Sequence, residues 1–502
     1  MFYRCQYLSV RLSGVFEMKV TVAVLDKHGE SAVTRILDVL QSFDFGQVSH
    51  FGLVLPKKSY FEKSLGILNR QGLNSPALLG CISSRPITSS NYDFIQLEDA
   101  AVAFEGRFYS PTPKDALADQ LTKDPKHCET TLHTLIEQAD GDYAFWMLKD
   151  GWIASGRDPI GVQPLYYGEN RDTAAYATNR KTLWRLGIEN PASFPPGTLV
   201  FADKEGFKFK PVKSLIYTPP KYVTLEQAAQ KLQSLLLESV QRRAQGLNEV
   251  AVAFSGGLDS SVVAFLANKC GVKVELLHVS LENQPETEEA LEASEALDLP
   301  MQIHLYKDSD VESTLPKVVE LIEEADPIKA AIGVPFYWAA QQAAEAKHKA
   351  LLAGQGADEL FAGYQRYVNE LLKDGPEKVR RTVFSDVVGL HESNLERDLK
   401  IMNYFDVELR LPFASFDIAE FALSLPLEFK MENKPDTLRK LVLRKVAQNL
   451  GLPPTISDKP KKAVQYSTGI NDAVKRLAKK RGKTVNEYIS GWFEKTKSTF
   501  QC

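Results

Sequence analysis

The stretch Phe254-Ser-Gly-Gly-Leu-Asp-Ser-Ser261 decides the fold of the C-terminal half, and it follows directly on the apolar run Val250–Phe254. The apolar run is typical of a buried parallel strand, and the pattern of Ser260–Lys269 predicts a helix after it. The serine and the two glycines between them form a short loop whose backbone N–H groups can converge on phosphate oxygens. The positive N-terminal end of the helix would then lie beneath the bound anion. The sequence therefore predicts a phosphate-binding turn at the end of a parallel strand.

Asp259, within the same stretch, predicts a metal ion in addition to phosphate. A carboxylate repels phosphate, so its natural role is to hold a Mg²⁺ that bridges phosphate oxygens. The Gly-Lys-Ser/Thr ending of a Walker loop is missing, which indicates another class of nucleotide site. The plainer alternative is a tight strand-to-helix turn in which Asp259 caps the helix. The full string after a buried strand favours the phosphate site.

The chain around this stretch alternates strands with helices. Further apolar runs that predict strands are Val274–Val279, Leu297–Tyr306 and Ala350–Leu352. Upstream, Thr224–Arg243 has apolar residues at helical spacing, with Thr224 as the N-cap and Gln227 three residues on. Such alternation implies a parallel sheet with ligands at the carboxyl ends of its strands. From about Leu360 the sequence is typical of a mostly helical region.

A second loop with acidic residues lies in Ala350-Leu-Leu-Ala-Gly-Gln-Gly-Ala-Asp-Glu-Leu-Phe-Ala-Gly-Tyr364, again after an apolar strand. Asp358 could supply a second oxygen ligand to the metal, and Glu359 could orient the metal or a water. The alternative is that these acids only cap a helix that starts near Leu360. With Asp259, the motif predicts a pair of carboxylates at one edge of the sheet.

The N-terminal part of the chain reads as short strands separated by turns. Val20–Leu25 predicts one strand, and Ala101–Phe104, closed by Gly106, predicts another. Tyr143–Leu148 and Trp152–Ser155 predict a hairpin, because the Asp-Gly between them tolerates the positive φ of such turns. A linker is expected at Thr218-Pro-Pro220. We therefore predict one domain over residues 18–212 and a second over 221–502.

Composition is that of a globular protein of two or three domains: 502 residues, 44% hydrophobic and 25% charged. A net charge of −4 gives no reason to expect nucleic acid or a membrane as partner, and no apolar stretch is long enough to span a bilayer. The five scattered cysteines fit reduced thiols in a cytoplasmic protein. Small molecules are the expected partners, and a homodimer is an open option. Met1–Glu17 lacks the features of a signal peptide, and whether it has a folded role is left open.

The string Ser-Gly-Gly-Leu-Asp-Ser-Ser resembles the pyrophosphate-binding loop of the N-type ATP pyrophosphatases, which cleave ATP between the α and β phosphates. The motif Ala350–Tyr364 is similar to the second ATP-site motif of one branch, the asparagine synthetases. The resemblance implies ATP and Mg²⁺ as cofactors, with Asp259 and Asp358 as metal ligands. The nucleotide contacts it implies are Phe254, Ser255, Gly256, Gly257, Asp259, Ser260, Val279, Ala353 and Gly354.

The second motif departs from that family at two positions. Ala353 stands where serine is common, and Gln355 stands where glutamate is common. By resemblance the glutamate contacts the amide-forming centre, so an amide there removes a possible base. Gln355 can still position a nucleophile by hydrogen bonds. Gln355 and Glu359 are therefore expected to act in catalysis, with the identity of the amine left open.

Further strings of the C-terminal half resemble the same family. They are Glu408–Phe413, Lys434–Arg439, which looks like Lys-x-x-Leu-Arg, and the basic loop Lys459–Tyr466. In that loop Lys462, with Lys461 in reserve, is expected to face the triphosphate and the adenylate, because negative charge builds on the α-phosphate. An exposed lysine in a basic turn is the alternative. At His278, backbone atoms of Val279 rather than the imidazole are expected to meet the base.

The N-terminal half resembles the glutaminase domain of the same synthetases through Gly141–Trp146 and Gly156–Gly168. The resemblance implies an N-terminal-nucleophile (Ntn) fold, in which two antiparallel sheets lie between helices. It covers nearly the whole chain, from about Met18 to Gly469. The implied fold class is thus an α+β Ntn-like sandwich followed by an α/β ATP pyrophosphatase domain with a helical C-terminal region.

The residues of the glutaminase site are replaced. Lys19 stands in place of the nucleophilic cysteine, Glu105 replaces the oxyanion-hole asparagine, and Arg107 replaces the acid that holds the ammonium group of glutamine. An anion where an oxyanion must develop opposes that chemistry. We therefore expect a domain kept as a scaffold, with free ammonia or a substrate amine as the nucleophile.

Three functions remain under consideration. The leading one is an asparagine synthetase that converts aspartate to an aspartyl adenylate with Mg-ATP and then to asparagine with ammonia. The second is a β-lactam-synthetase-like enzyme that acts on another carboxylate and amine, which the Gln355 departure keeps open. The third is a non-catalytic nucleotide-binding regulatory protein.

Overall fold

The structure is a computed structural model, and it describes residues 19–43, 50–83, 94–110, 120–121, 128–221, 223–434, 438–459 and 468–501. Contacts group these residues into two compact units. One consists of Leu215–Gly491, and the other consists of the chain up to Ser214 together with the chain from Trp492 on. The domain limits 18–212 and 221–502 remain a prediction, and they do not anticipate that the last residues group with the N-terminal unit.

The described part of the N-terminal unit is built from strands that form two antiparallel sheets. The strands are β1 (Lys19–Asp26), β2 (His50–Val54), β3 (Ser59–Glu62), β4 (Ala77–Ser83), β5 (Phe94–Gln96), β6 (Ala100–Ser110), β7 (Asp140–Lys149), β8 (Trp152–Arg157), β9 (Tyr166–Glu169), β10 (Thr173–Ala177), β11 (Ala192–Ser193), β12 (Thr198–Asp203) and β13 (Gly206–Pro211). The helices are α1 (Val33–Ser42), α2 (Leu65–Asn69), α3 (Cys128–Gln138) and α4 (Arg180–Arg185). The strand orders are β11-β9-β10-β1-β4-β2-β3 and β13-β12-β8-β7-β6-β5.

The two sheets pack face to face and carry helices on their outer faces. In β1, Ala23 and Leu25 join a core that includes Trp146 of the second sheet, whereas Val22 and Val24 join a core with α1. The period of two is the one that a strand buried on both faces requires. Helix α3 covers the outer face of the second sheet. The expected α+β sandwich, two antiparallel sheets between helices, is confirmed.

Local signals in this unit are mostly confirmed. Strands β7 and β8 form the predicted hairpin, and Gly151 in its turn has φ +83°. The prediction that Gly106 closes a strand is wrong, because β6 continues to Ser110. Gly106 has φ +93° inside the strand, and a Cβ there would collide with the backbone of Asp142 in the neighbouring β7. This glycine permits close strand pairing and does not end the strand.

The second unit is built on a five-stranded sheet with the order β16-β15-β14-β17-β18, parallel throughout. Its strands are β14 (Glu249–Ala253), β15 (Lys273–Leu281), β16 (Met301–Tyr306), β17 (Ala350–Leu352) and β18 (Glu408–Arg410). Its helices begin with α5 (Leu225–Ala244), α6 (Leu258–Lys269), α7 (Glu286–Ala296), α8 (Asp308–Ile322) and α9 (Pro327–Glu345). They continue with α10 (Ala357–Leu360), α11 (Gln365–Asp374), α12 (Pro376–Val388), a π turn (His391–Leu395), α13 (Glu396–Tyr404), α14 (Phe416–Leu423), a 3₁₀ turn (Leu427–Phe429), α15 (Leu441–Asn449), α16 (Pro454–Ser457) and α17 (Ile470–Lys480). The last helix, α18 (Val485–Phe500), begins in this unit, and its residues from Trp492 on group with the N-terminal unit.

The predicted alternation of strands and helices is confirmed, with small shifts at the ends. Strand β16 starts at Met301, later than the predicted Leu297, because α7 and its C-terminal turn use the intervening residues. Helix α5 begins with the predicted capping box, in which Thr224 Oγ1 accepts from the N–H of Gln227 (3.2 Å). The chain after Leu360 is mostly helical, as expected. Of the helices in the described ranges, none combines the length and apolarity needed to cross a bilayer.

Candidate active site

A cleft at the carboxyl ends of β14, β15 and β17 collects most of the predicted nucleotide residues. It encloses about 1160 Å³, including its open mouth, and it is formed entirely within the second unit. The predicted residues that line it are Phe254, Ser255, Asp259, Ser260, Val279, Ala353, Gly354, Gln355 and Asp358. One wall is apolar and comes from α9, which contributes Ile332, Pro335, Phe336 and Ala339. This is where a parallel sheet is expected to bind its ligand.

The loop after β14 is shaped by its glycines and its serine hydroxyls. Gly256 has φ +67°, and a Cβ there would lie 2.6 Å from Cα of Ala290 in α7, so only glycine fits. The N–H of Gly257, the N-cap of α6, donates to Ser255 Oγ (3.3 Å). Ser260 Oγ lies 3.3 Å from Ser255 Oγ. The loop therefore has the compact form that lets backbone N–H groups and hydroxyls meet an anion at a helix N-terminus.

The two acidic motifs converge at this loop. Gly354 packs directly on the other motif, since a Cβ there would lie 2.8 Å from Cβ of Asp259. Asp259 Oδ2 and Asp358 Oδ1 both lie 2.6 Å from the ammonium nitrogen of Lys440, whose side chain is 2% exposed. Two carboxylates that share one cation fit a metal-binding pair, with phosphate and water as the further oxygen ligands that Mg²⁺ requires. In the free protein, however, the cation between them is a lysine.

Lys440 was missed at the sequence level, although the signal was present. The Lys-x-x-Leu-Arg pattern was assigned to Lys434–Arg439, but Lys434 is 60% exposed and pairs with Glu432. The string Lys440-Leu-Val-Leu-Arg444 satisfies the same pattern, and its lysine is the one that reaches the cleft acids. The assignment of this pattern to Lys434–Arg439 is therefore wrong, and the matching string is the one that follows it directly, Lys440–Arg444.

Glu359 lies in a buried polar cluster and not against Asp259. Its Oε1 accepts from Tyr364 OH (2.5 Å) and from Asn394 Nδ2 (2.7 Å). Burial, and next the neighbouring Asp358, raise the pKa of Glu359. Asn394 lies in the π turn before α13 and receives a hydrogen bond from Arg397 (3.2 Å). Tyr364 ends the quoted motif but was given no role, and Asn394 and Arg397 were not predicted, because they lie at least 35 positions from Glu359 and become its neighbours only in the folded chain.

Gln355 is oriented by a fully buried carboxylate. Its Nε2 donates to Oδ2 of Asp398 (2.5 Å), which is 0% exposed. Arg397 holds Asp398 with two further bonds, from Nε to Oδ1 (2.7 Å) and from Nη2 to Oδ2 (3.0 Å). Burial raises the pKa of Asp398. With its amide nitrogen engaged there, Gln355 has its carbonyl oxygen left as the group that can accept a hydrogen bond in the cleft.

His278 has a structural role. Its ring nitrogens lie 3.0 Å from the carbonyl oxygen of Phe254 and 3.2 Å from Thr287 Oγ1. Desolvation lowers its pKa, so the neutral ring is favoured. The histidine thereby fixes the strand end from which Val279 lines the cleft. A contact between the backbone of Val279 and a base remains a prediction.

Lys461 and Lys462 lie outside the described residues, but one flank of that segment contacts the loop Ser255–Ser260 and the other lines the cleft. Lys459 Nζ donates to the carbonyl oxygen of Gly256 (3.2 Å) and pairs with Glu289 (2.9 Å). Arg444 holds the same point of the chain by donating to the carbonyl oxygen of Lys459 (2.8 Å). On the other side, Thr468 lines the cleft.

In the N-terminal unit, two of the replaced glutaminase positions are paired with each other. Lys19 Nζ lies 3.9 Å from Oε2 of Glu105, whose side chain is 8% exposed. Gln163 Nε2 donates to the other oxygen of Glu105 (3.4 Å). Arg107 lies on the same strand, paired in register with Asp142. The positions that would hold a nucleophile and an oxyanion hole thus hold a charge pair.

The comparisons with a family model and with known proteins agree on one family. A family model described as asparagine synthase matches residues 231–380 and 368–498. A putative glutamine-hydrolyzing asparagine synthetase 1 of Methanocaldococcus jannaschii is 32% identical over 415 residues, which cover 73% of this chain and 76% of that protein. The glutamine-hydrolyzing asparagine synthetase of Triphysaria versicolor is 25% identical over 371 residues, which are 69% of this chain but only 62% of that relative.

Among solved structures, an NMN synthetase from Francisella tularensis is 16% identical with a TM-score of 0.27, covering 56% of this chain and 98% of that one. Assignment of the fold therefore rests on the sheets themselves.

Proposed function

The chain belongs to the asparagine synthase family, and we propose that it is an AMP-forming amide ligase that works in the cleft of its second unit. The observation that carries the proposal is the convergence of the loop Ser255–Ser260 with Asp259 and Asp358 at one edge of a parallel sheet. A turn of this kind suits pyrophosphate, and paired carboxylates suit a divalent metal. We propose ATP as the nucleotide and Mg²⁺ as the metal.

The first step is adenylation of a carboxylate. A carboxylate oxygen attacks the α-phosphorus of ATP, the bond to the β-phosphate oxygen breaks, and pyrophosphate leaves from the loop Ser255–Ser260. Asp259 and Asp358 would hold the Mg²⁺, which neutralises phosphate charge when it is bound. Lys462 is proposed to face the α-phosphate, where charge builds. Two contacts on either side of that segment support this: Lys459 is bonded to Gly256 of the loop, and Thr468 lines the cleft.

The second step is attack of an amine on the acyl adenylate. The nitrogen lone pair forms a bond to the carbonyl carbon, AMP leaves with the bonding electrons, and one proton is released from nitrogen. Gln355 cannot take that proton, so its proposed role is to accept a hydrogen bond from the amine through Oε1. Glu359, a buried carboxyl group of the same motif with a raised pKa, is proposed to exchange that proton, because its partners Tyr364 and Asn394 line the cleft.

For the substrates, the leading proposal is aspartate and ammonia, giving asparagine. The alternative is another carboxylate with a larger amine, and two observations favour it: Gln355 stands where the family commonly has an acid, and α9 gives the cleft an apolar wall. Both proposals share the same adenylation, and they differ in what the cleft recognises.

Ammonia is proposed to come from solution and not from glutamine within this chain. The names of the relatives specify glutamine hydrolysis, but here Lys19 and Glu105 occupy the positions of the nucleophile and the oxyanion hole and pair with each other. A buried anion at the point where an oxyanion must develop raises the barrier to that reaction.

Pyrophosphate release tests these proposals together. The full chain is incubated with Mg-ATP and one carboxylate at a time, with and without ammonium. Release that depends on aspartate supports asparagine synthesis, and release that depends on another carboxylate supports the alternative. Absence of release with every carboxylate, together with measurable ATP binding, would replace both by a regulatory nucleotide-binding role.

A further inference from the structure

A buried lysine occupies the centre of the proposed metal site. Lys440 Nζ lies 2.6 Å from Asp259 Oδ2 and 2.6 Å from Asp358 Oδ1. Its side chain is 2% exposed, whereas the two carboxylates are 15% and 17% exposed and line the cleft. The lysine is not among the residues that line the cleft, so it approaches the carboxylates from inside the protein. The free protein therefore has its two acids already bound to a cation.

The surrounding chain holds this lysine in place. Lys440 has φ +60°, a left-handed conformation that costs a non-glycine residue energy, and it begins helix α15. Its carbonyl oxygen accepts from the N–H of Arg444 (2.9 Å), the first turn of that helix. Gly363 provides the space, because a Cβ at that position would overlap both the Lys440 side chain and Oδ1 of Asp358. Such an arrangement is built into the fold and does not arise from a mobile surface side chain.

An ammonium and a divalent metal compete for these oxygens. Mg²⁺ binds carboxylate oxygen at about 2.0–2.1 Å, so a metal that took the same two oxygens would occupy nearly the position of Nζ. A metal on the remaining oxygens would lie within a few ångströms of a buried positive charge, where solvent screens little. In both cases Lys440 opposes metal binding as long as it remains on the acids.

Phosphate changes this balance. The loop Ser255–Ser260 adjoins the pair, so a bound pyrophosphate group brings anionic oxygens next to Lys440. These oxygens can accept hydrogen bonds from the ammonium and can also serve as metal ligands. We propose that Lys440 is the resident cation of this site, that it excludes a divalent metal from the free protein, and that it makes metal binding conditional on nucleotide phosphate.

The proposal rests on the proposed function, because it takes Asp259 and Asp358 as metal ligands. It adds a quantity that the proposed function does not require: a strong coupling between metal and phosphate binding that is due to one side chain. By linkage, nucleotide must also bind more tightly with metal than without it by the same factor. Removing the charge of Lys440 should therefore reduce the coupling chiefly by strengthening metal binding to the free protein.

The test measures Mn²⁺ binding to the full chain by the loss of the free-ion electron paramagnetic resonance signal relative to the same mixture without protein, because phosphate compounds bind Mn²⁺ themselves. It is done on the protein alone, with inorganic pyrophosphate, and with a non-hydrolysable ATP analogue. For the wild type we expect one Mn²⁺ site only when pyrophosphate or the analogue is present. For Lys440→Met we expect the protein alone to bind Mn²⁺ at least about tenfold more tightly than the wild type does.

Lys440→Arg is the matched control, since it keeps the charge and should keep the wild-type dependence on phosphate. Lys440→Gln, which keeps a hydrogen-bond donor without the charge, should behave like Lys440→Met and provides a second variant if the methionine variant does not fold. Circular dichroism and thermal unfolding establish that each variant is folded before its binding is compared.

The outcomes separate the two proposals. Tight Mn²⁺ binding to wild-type protein without any phosphate compound would overturn the inference while leaving the metal role of the acids intact. So would an unchanged Mn²⁺ affinity in folded Lys440→Met and Lys440→Gln. If Mn²⁺ fails to bind even with the ATP analogue present, the metal role in the proposed function is itself wrong.

Discussion

Two carboxyl groups beside the cleft have pKa values that are raised by burial. Asp398 and Glu359 are carboxyl groups almost removed from water, and burial raises the pKa of both. Each is held by hydrogen-bond donors: Asp398 by Arg397 and Gln355, and Glu359 by Tyr364 and Asn394. Because an unpaired buried charge is costly, a change of one partner alters the protonation of the other. Substitutions at these residues are therefore expected to act through the charge of the side chains.

Asp259→Asn should abolish pyrophosphate release while leaving the fold intact. The amide keeps the size of the side chain but lacks the negative charge that a metal ligand and the Lys440 ammonium need, so we expect a loss of about 100-fold or more. Asp472→Asn is the control: Asp472 is an exposed acid that pairs with Lys475 in its own helix, and the variant should release pyrophosphate like the wild type. Turnover that persists in folded Asp259→Asn would contradict the assigned role.

Gln355→Glu should destabilise the protein in a pH-dependent way. A second carboxyl group would then face Asp398 at hydrogen-bond distance, and one of the two must be protonated to avoid a buried pair of like charges. Burial already raises the pKa of Asp398, and a second carboxyl group beside it would oppose its ionisation further, so we expect the penalty to be absent at low pH and to grow as pH rises above about 4. We expect a loss of about 3 kcal/mol in unfolding free energy at pH 8 and a smaller loss at pH 5.

The measurement for this variant is urea unfolding at several pH values, with Gln365→Glu as the control on the exposed start of α11. An equal loss at pH 5 and pH 8 would mean that packing, and not charge, is responsible. Adenylation should survive better than amide formation, because Gln355 is assigned to the amine.

At the scale of elements, the site depends on how closely α6, α7 and the loop between β14 and α6 pack. Gly256 lies against Cα of Ala290 in α7, and Gly354 lies against Asp259 in α6. Glycine at both positions removes the side chain that would separate these elements. The positions of the phosphate loop and of the metal acids are therefore linked through backbone contacts.

Gly256→Ala should reduce pyrophosphate release by roughly 100-fold, because a new Cβ displaces the loop from α7 and misplaces the reacting groups. Gly271→Ala is the matched control: Gly271 also has positive φ, at +81°, but a Cβ there would have no neighbour within 4 Å. The control should lose about 1 kcal/mol of stability and keep its activity. If Gly271→Ala loses as much activity as Gly256→Ala does, the strained φ and not the contact with α7 is responsible for the loss.

Much of this arrangement is local in sequence and was therefore predictable. The turn Phe254–Ser261 and the motif Ala350–Tyr364 each carry their signal within a few residues. The lysine that completes the site is different, since Lys440 is 181 positions from Asp259. Asp398 likewise approaches Gln355 from 43 positions away. Such partners depend on how α13 packs on β18 and how α15 packs on α5, which periodicity and turn signals do not encode.

In the whole molecule, the two units differ in the residues that they offer for catalysis. The predicted nucleotide residues and the cleft lie in the second unit, whereas the sandwich contains the paired Lys19 and Glu105. The side chain of Lys19 is 37% exposed and that of Glu105 is 8% exposed, so solvent screens this ion pair only partly. A prediction at this scale concerns the source of nitrogen.

Ammonium should support ATP-dependent amide formation, and glutamine should not. Glutamate release from glutamine is followed in the same reactions by a coupled dehydrogenase assay. Glu105→Gln, which removes the anion but supplies no nucleophile, should leave the ammonium-dependent rate within about twofold of the wild type, because the proposed ligase cleft is formed entirely within the second unit. Glutamate production that keeps pace with ATP consumption would contradict the scaffold role.

The return of the C-terminal residues to the sandwich has a consequence for synthesis on the ribosome. Phe500 is buried in the core of the N-terminal unit, with its ring centroid 5.4 Å from that of Phe43, and Phe493 packs on the same core. Domains generally fold in the order in which they are translated. This sandwich cannot complete its hydrophobic core in that order, because Phe493 and Phe500 are made only after the second unit. The core of the N-terminal unit therefore stays incomplete until the second unit has been translated, and a nonsense codon shortly before Phe493 would damage a fold that begins about 470 residues earlier in the chain.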